Sequence, residues 1–321
     1  MIADAITKAK RVLVVGHKGP DFDSAGSCFA LSLALEQMGK QTMTVVGDLL
    51  AKMKHAFGVA HVDTERETMA SFKPDLVVFL DYGAVRMLPK DVLEKVQKLN
   101  PAMISIDHHL QEDQFGDIVW VDPQKTSASE MVFDLLEHMH QGLNEQIGFC
   151  LLVGMLSDTG EFVYQLDSSR LLSKMQKLNV SGKLFSYAFK VVRSWDSFHD
   201  FVAFGAFGSK LKFDADLGLV YGIIRNGTGI AGFRSFLANQ LLMIDGVRYI
   251  LIMEKNHGAK GYRASLRASA FESKANMGEV ASHFIGGGHE NAAAFNSRLS
   301  SVKIMETVKS LIKEQEKRNS S

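Results

Sequence analysis

Cysteine is scarce: Cys28 and Cys150 are the only two among 321 residues. Two thiols cannot make the framework of bridges that staples small secreted domains. Both stand in apolar surroundings, where buried thiols are the usual finding, and a reducing cytoplasm is the expected location. An excess of one charge is missing as well. Lys plus Arg total 36 and Asp plus Glu total 36, so no overall field marks a nucleic-acid or membrane surface, and a charged ligand has to be caught by a local site. Long apolar runs are absent too. The longest, such as "FCLLVGML" at 149 to 156, fall far short of the roughly twenty residues that span a bilayer. The opening "MIADAITKAK" lacks the apolar stretch of a signal peptide, and the chain shows neither internal repeats nor low-complexity tracts.

What is present is an ordinary globular composition, 46% hydrophobic and 22% charged, in a chain long enough for two domains. Three apolar runs share a pattern: "RVLVVGH" (11 to 17), "DLVVFLD" (75 to 81) and "AMISIDHH" (102 to 109) read as buried strands that end in His, Asp or both. Helical patterns follow or separate them at 24 to 39, 49 to 57 and 88 to 99, and "GDIVWVDP" (116 to 123) reads as a further strand. A helix is expected over 127 to 140, with Ser127 or Ser129 near its start. The stretch 146 to 162 fits a buried strand or a buried helix, and its length favours a helix with Asp158 near the end. Strands alternating with helices predict a parallel sheet covered on both faces. In such sheets ligands bind beyond the carboxyl ends of the strands, where these polar residues lie.

From about residue 195 the texture changes. Strands are expected at 218 to 227, at 248 to 269 as a hairpin around "NHGAKG", and at 291 to 299, with helices at 277 to 284 and 302 to 316. The expected division is a first domain over 1–185, a linker over 186–200 and a second α/β domain over 201–321.

The chemistry is concentrated in His17, Asp21, Asp23, Asp81, Asp107, His108, His109 and Asp158. Carboxylates packed together without cations repel, and divalent metal resolves the conflict. Imidazole and carboxylate without thiolate suit manganese, magnesium, cobalt or iron better than structural zinc. Several acids with few histidines also suit two metals sharing a carboxylate. A pair about 3.5–4 Å apart clamps the attacking and leaving oxygens of phosphoryl transfer. The residues therefore point to a two-metal hydrolase of a phosphate ester or anhydride. Any single Asp here could instead be a turn or cap residue. Asp23 in particular could cap a helix starting at Ser24.

Together these residues resemble a known family. "GHKGPDFDSAGS" resembles the His-x-x-Pro-Asp-x-Asp motif of the DHH phosphoesterase superfamily, "FLDYG" its second motif, "SIDHH" the Asp-His-His motif and "GMLSDTGEF" the fourth. "IGGGHENAAAF" (285 to 295) resembles the Gly-Gly-Gly-His signature of the DHH-associated C-terminal domain, with "YRASLRAS" (262 to 269) as its Ser-x-Arg partner strand. Length and the C-terminal signature look most like the NrnA-type oligoribonucleases. The resemblance implies an N-terminal parallel-sheet DHH domain joined by a helical linker to a smaller mixed-sheet α/β domain, with the active site in the cleft between them.

It further implies two manganese ions, with magnesium or cobalt as substitutes. His17, Asp21 and Asp81 would hold one, and Asp23, Asp81, His108 and Asp158 the other. His109 would face the scissile phosphate, and Asp107 would orient a histidine. Phe22 stands where related enzymes often have Gly, which predicts an ordinary backbone there and a side chain that either packs beneath the metal loop or lines the substrate cleft. In the second domain, Arg267 offers a fork for phosphate, with Ser265 beside it. Gly286, Gly287, Gly288 and His289 would form a glycine-rich loop whose backbone N–H groups nest an anion. The implied substrates are short RNA and linear dinucleotides such as pGpG, cut to mononucleotides. Alternatives are 3′-phosphoadenosine 5′-phosphate (pAp), cyclic dinucleotides, or a regulatory nucleotide-binding role with an inert site. Neither a membrane nor long nucleic acid is an expected partner, and a homodimer is left open.

Overall fold

Five short aliphatic runs line up as one parallel sheet. The computed structural model describes residues 1–58, 71–109, 115–163, 169–195, 197–224, 233–255 and 260–319, the side chains of 233–236 excepted. The chain forms two compact units, divided in sequence after Ser194, with Val163 counted with the second. In the first unit the strands are β1 (Arg11–Val15), β2 (Gln41–Val45), β3 (Leu76–Leu80), β4 (Ala102–Asp107) and β5 (Ile118–Val121), in the order β2-β1-β3-β4-β5. β1 continues to β2 on one side, and the chain then returns to β3 on the other. The order therefore reverses between β1 and β3, which is where open α/β sheets leave a crevice at their carboxyl ends.

Strand alternation divides the core. Val12, Val14, Val78 and Leu80 face α2 (Phe22–Gln37), α5 (Ala128–His138) and α6 (Glu145–Asp158). Leu13, Val15, Val77 and Phe79 face α4 (Lys90–Leu99) through Val92 and Val96. The first unit also holds α1 (Ile2–Lys8), α3 (Ala51–Phe57), α7 (Ser169–Leu178) and α8 (Leu184–Arg193). Helix α2 is buried on nearly every side. It lies so close to α6 that a Cβ on Gly26 would stand 2.4 Å from the Cys150 carbonyl oxygen.

Two alternatives that the sequence leaves open are resolved in this unit. Helix α2 starts at Phe22 and is capped by Asp21, so Asp23 is not its cap. The stretch read over 146 to 162 is a helix, as its length suggested, and it ends at Asp158. β2 is a half-buried edge strand with too few apolar residues to stand out in the sequence.

The second unit is built on a six-stranded mixed sheet, β10-β11-β9-β8-β7-β6, from β6 (Lys212–Asp214), β7 (Leu219–Ile224), β8 (Tyr249–Lys255), β9 (Tyr262–Ala268), β10 (Ile285–Gly288) and β11 (Ala292–Ser297). Only β7 and β8 run parallel. One face packs on α11 (Met277–Ser282) and α12 (Ser301–Arg318) through Leu251, Leu266 and Phe295. The other face covers Ile250 and Ile252 with α9 (Phe198–Gly208) and α10 (Phe233–Leu241). The expected hairpin is present as β8–β9, although residues 256–259 of its turn, like 225–227 of the first expected strand, lie outside the described residues. Among the described residues no helix is long and apolar enough to cross a membrane.

Candidate metal centre

Three strand ends and two helix ends deliver the candidate ligands. Beyond β1, the backbone N–H of His17 donates to Ser24 Oγ (3.3 Å). Asp21 Oδ1 accepts the N–H groups of Asp23 and Ser24, both at 3.0 Å, and so starts α2. Phe22 takes an ordinary backbone and packs into the core edge-on to Phe57, with ring centroids 6.2 Å apart. It therefore lies beneath the loop. Asp23, fully buried, reaches the N-terminus of α5, where its two oxygens accept from Ala128 N (2.7 Å) and Ser129 N (2.9 Å).

Asp81 follows β3 with φ of 50°, a left-handed conformation that is uncommon outside glycine and that Asp and Asn tolerate better than most residues. The turn is held from β4. Asp107 Oδ2 accepts from Tyr82 N (2.9 Å) and Gly83 N (2.8 Å), the two residues after Asp81. Asp81 thereby places one oxygen 3.9 Å from His17 Nε2 and the other 3.5 Å from both His108 Nε2 and His109 Nδ1. Asp158 closes the ring from the end of α6, with Oδ2 3.1 Å from His108 Nε2.

Three overlapping sets have ligand atoms within 4.8 Å of one another: His17, Asp21 and Asp81; Asp23, His108 and Asp158; and Asp81, His108 and His109. Asp81 belongs to two of them. All six residues expected as ligands are thus gathered beyond the switch point of the sheet. His109 borders them, and Asp107 lies behind it.

The charges show why the cluster calls for a cation. Burial pushes the Asp23 carboxyl well up, and the charges of Asp158 and Asp81 add to it. Asp21, whose side chain also meets solvent, is pushed up to about 6 by the protein packed round it and by Asp81 and Asp158. Burial would raise Asp81 as well, but the approach of His108 and the charges of the nearby imidazoles hold it at about 2. Burial would lower His108 and His109, yet their carboxylate partners win and both imidazoles are raised, His108 by Asp158 and Asp81 and His109 by Asp107 and Asp81. Protons on imidazole and carboxyl are what partly offset the crowding of acids here. A divalent ion would do so better. The donor set fits such an ion: only oxygen and imidazole nitrogen, with the buried Asp81 Oδ1 accepting no hydrogen bond of good geometry.

The clamp of Asp23 by α5 was not foreseen from the sequence. Its trace there is the Ser-x-x-Glu pattern of Ser127 and Glu130, which marks a helix start.

The other candidates belong to the second unit. Ser265 and Arg267 lie on β9 and face away from the α11–α12 core, paired with Ala294 and Ala292 on β11. Gly287 pairs with Ala294 in turn, so small residues floor the sheet beside the Arg267 guanidinium. Gly286, Gly287 and Gly288 are a correction in conformation: they form edge strand β10 instead of a loop. A Cβ on Gly286 would stand 2.2 Å from the Ala294 carbonyl oxygen, and Gly288 has φ of 148°, so pairing with β11 requires both glycines. His289 closes the turn, its N–H donating to the Ala292 carbonyl (2.8 Å).

Comparison with known proteins agrees with this construction. The family model for the DHH family, N-terminal domain, matches residues 11–155. An uncharacterized protein of Mycoplasma pneumoniae, the MG371 homolog, is 25% identical over 327 residues, covering 95% of this chain and 92% of its own. The bifunctional oligoribonuclease and PAP phosphatase NrnA of Bacillus subtilis is 27% identical over 182 residues, 56% of this chain and 53% of its own. Among solved structures, an exopolyphosphatase-related protein from Bacteroides fragilis has the same fold, with a TM-score of 0.85 at 21% identity over 100% of this chain and 96% of the other. RecJ of Thermus thermophilus in complex with Mn2+ has a TM-score of 0.55 at 12% identity over 97% of this chain and 53% of its own. Through residues 11–155, the chain carries the N-terminal domain of the DHH family.

Proposed function

We propose that the protein is a metal-dependent phosphodiesterase that cuts short RNA and linear dinucleotides such as pGpG to mononucleotides. The observation that carries this reading is Asp81, a buried carboxylate that belongs to two sets of potential ligands, one with His17 and Asp21 and the other with His108 and His109. His17, Asp21 and Asp81 would hold one ion, and Asp23, Asp81, His108 and Asp158 a second. Manganese is the metal proposed, with magnesium or cobalt as substitutes, and the fold shared with a Mn2+-bound RecJ supports it. When bound, such ions neutralise phosphate charge and make water a stronger acid.

The remaining steps fall to the chain's own groups. Asp107 takes His109 Nδ1 at 2.8 Å, so a proton handed to the leaving oxygen would come from His109 Nε2. In the metal-free protein burial would lower the His109 imidazole, but Asp107 and Asp81 raise it. Arg267 and Ser265, with the strand Gly286, Gly287, Gly288 and His289, are assigned to the far end of the substrate. There a guanidinium beside a floor of small residues suits a phosphate or a nucleobase lying flat.

A second reading has its own support. The Bacillus subtilis relative is named for a PAP phosphatase activity as well as an oligoribonuclease, so pAp is an alternative substrate. The test is a panel of pGpG, pAp and a cyclic dinucleotide, each incubated with the protein and Mn2+ and the products separated. Conversion of pGpG to GMP is expected. Hydrolysis of pAp alone would favour the second reading, and hydrolysis of none would overturn both.

A further inference from the structure

Asp23 is fully buried at the start of α2, and a carboxylate in that position needs donors from outside its own helix. They come from the first two residues of α5, whose N–H groups no helical carbonyl can reach. Ala128 N and Ser129 N meet one oxygen each, at 2.7 and 2.9 Å. The start of α5 is itself anchored. Ser127 Oγ accepts from Glu130 N (3.0 Å), Glu130 Oε2 accepts from Thr126 N (2.8 Å), and Lys174 Nζ stands 2.6 Å from Glu130 Oε1.

The third wall of this clamp is α6, at Gly154. A Cβ there would lie 2.0 Å from Ser129 Oγ and 2.8 Å from Asp23 Oδ1. Gly154 is an ordinary helical residue with no positive φ, so its own backbone does not require glycine. The space it leaves is filled by the buried Ser129 hydroxyl, which has no hydrogen-bond partner, and by the Asp23 carboxylate. That hydroxyl gains nothing from the notch, so the room serves the backbone clamp on Asp23.

We infer that Gly154 is a positioning residue. By staying bare it lets the start of α5 hold Asp23 beside His108 and Asp158, and so sets how tightly that trio binds a divalent ion. The inference rests on the metal-dependent reading above.

The test compares the whole protein with three variants by calorimetric titration with Mn2+, each also followed by thermal melting. Gly154→Ala presses a methyl first on Ser129 and then on Asp23, and so on the clamp between them. Gly148→Ala is the matched control, since its Cβ would strike the Leu178 carbonyl at 2.6 Å in the same helix but away from the acids. Ala128→Pro removes one clamp N–H at the first helical position, where proline is best tolerated. Gly154→Ala and Ala128→Pro are expected to weaken binding of one ion by about 10–100-fold. Gly148→Ala should melt earlier yet titrate like the parent.

Parent-like affinity in Gly154→Ala, or an equal loss in Gly148→Ala, would overturn the inference. If Gly154→Ala does not fold, Ala128→Pro decides alone, and parent-like affinity there overturns it. A parent that binds no Mn2+ removes this inference together with the metal-dependent reading. A parent that binds Mn2+ in this pattern but hydrolyses none of the panel removes only the proposed substrates.

Discussion

Asp107 and His109 are joined twice: one carboxylate oxygen accepts both the backbone N–H of His109 (2.9 Å) and its ring Nδ1–H (2.8 Å). The other oxygen takes Tyr82 N and Gly83 N, so a fully buried carboxylate ties the Asp81 turn to the half-exposed imidazole. Asp107→Asn would turn an amide donor toward one of these pairs of donors. The His109 pKa should fall, because the bond and charge that raise it are lost. That fall is measurable by NMR titration of the ring. Turnover should drop about tenfold to a hundredfold. An unchanged ring pKa would show that Asp107 does not govern His109.

Asp81→Ala removes the ligand shared by two sets and leaves Asp21, Asp23 and Asp158 facing one another. Turnover with Mn2+ should be abolished. Activity within about tenfold of the parent would sink the assignment of a shared carboxylate between two ions.

Five of the six candidate ligands could be read from the sequence because they follow short apolar strands, and a strand buried on both faces in this fold is a continuous apolar run; the sixth, Asp158, ends the apolar helix α6. What stayed hidden depends on distant or weakly patterned segments. Ala128 and Ser129 meet Asp23 from more than a hundred positions away, through backbone N–H groups that any residue type but proline would supply. Gly154 opens the stretch that resembles the fourth motif, but its place against Ser129 and Asp23 depends on two helices distant in sequence. β2 is an edge strand whose threonines face partial solvent. Gly286 to Gly288 have the composition of a loop but pair as a strand, because β11 lies too close for side chains at Gly286 and Gly288.

Stability should respond to metal and pH together. The Asp21 and Asp23 carboxyls are raised in the fold above the ordinary 3.8, Asp21 to about 6. A raised acid gives the fold an advantage that is complete below its unfolded value and lost as pH rises through the folded one. The metal-free protein therefore loses the Asp21 share between about pH 4 and 6 as pH rises, moderated by solvent at its exposed edge, and the Asp23 share as pH rises through that group's own raised value. Bound Mn2+ would reverse the loss, and protons would compete with it at low pH. The rise in Tm on adding Mn2+ should be larger at pH 7.5 than at pH 5.5. Equal rises would mean that these acids do not meet the ion.

Arg267→Ala tests the second unit on its own. Arg267 lies on β9 of a sheet that holds none of the candidate ligands, so Mn2+ binding should match the parent. Loss of a charged phosphate contact should cost about 2 kcal/mol, roughly thirtyfold in kcat/KM on pGpG. Parent-like kcat/KM would remove Arg267 from substrate binding.

Substrate length follows from the same grip. A pair of metal positions senses one phosphate and its in-line oxygens, so it cannot measure how long a strand is. Selection by length has to come from binding energy realised away from the metals. In the second unit that energy would come from Arg267, Ser265 and the β10 glycines. They present one guanidinium and a flat floor of Ala292, Ala294 and Gly287, which suits a single terminal group. Proteins that hold long single strands instead repeat basic and aromatic side chains along a groove, with each stacked base adding about 1–3 kcal/mol. With one terminal grip, added nucleotides bring little binding energy and still have to be ordered. The expected kcat/KM is therefore highest for about two to four nucleotides and falls by at least about tenfold for a strand of about 24. Time courses on 5′-labelled RNA of graded length would measure it, and equal cleavage of the dinucleotide and the long strand would point to a processive exonuclease.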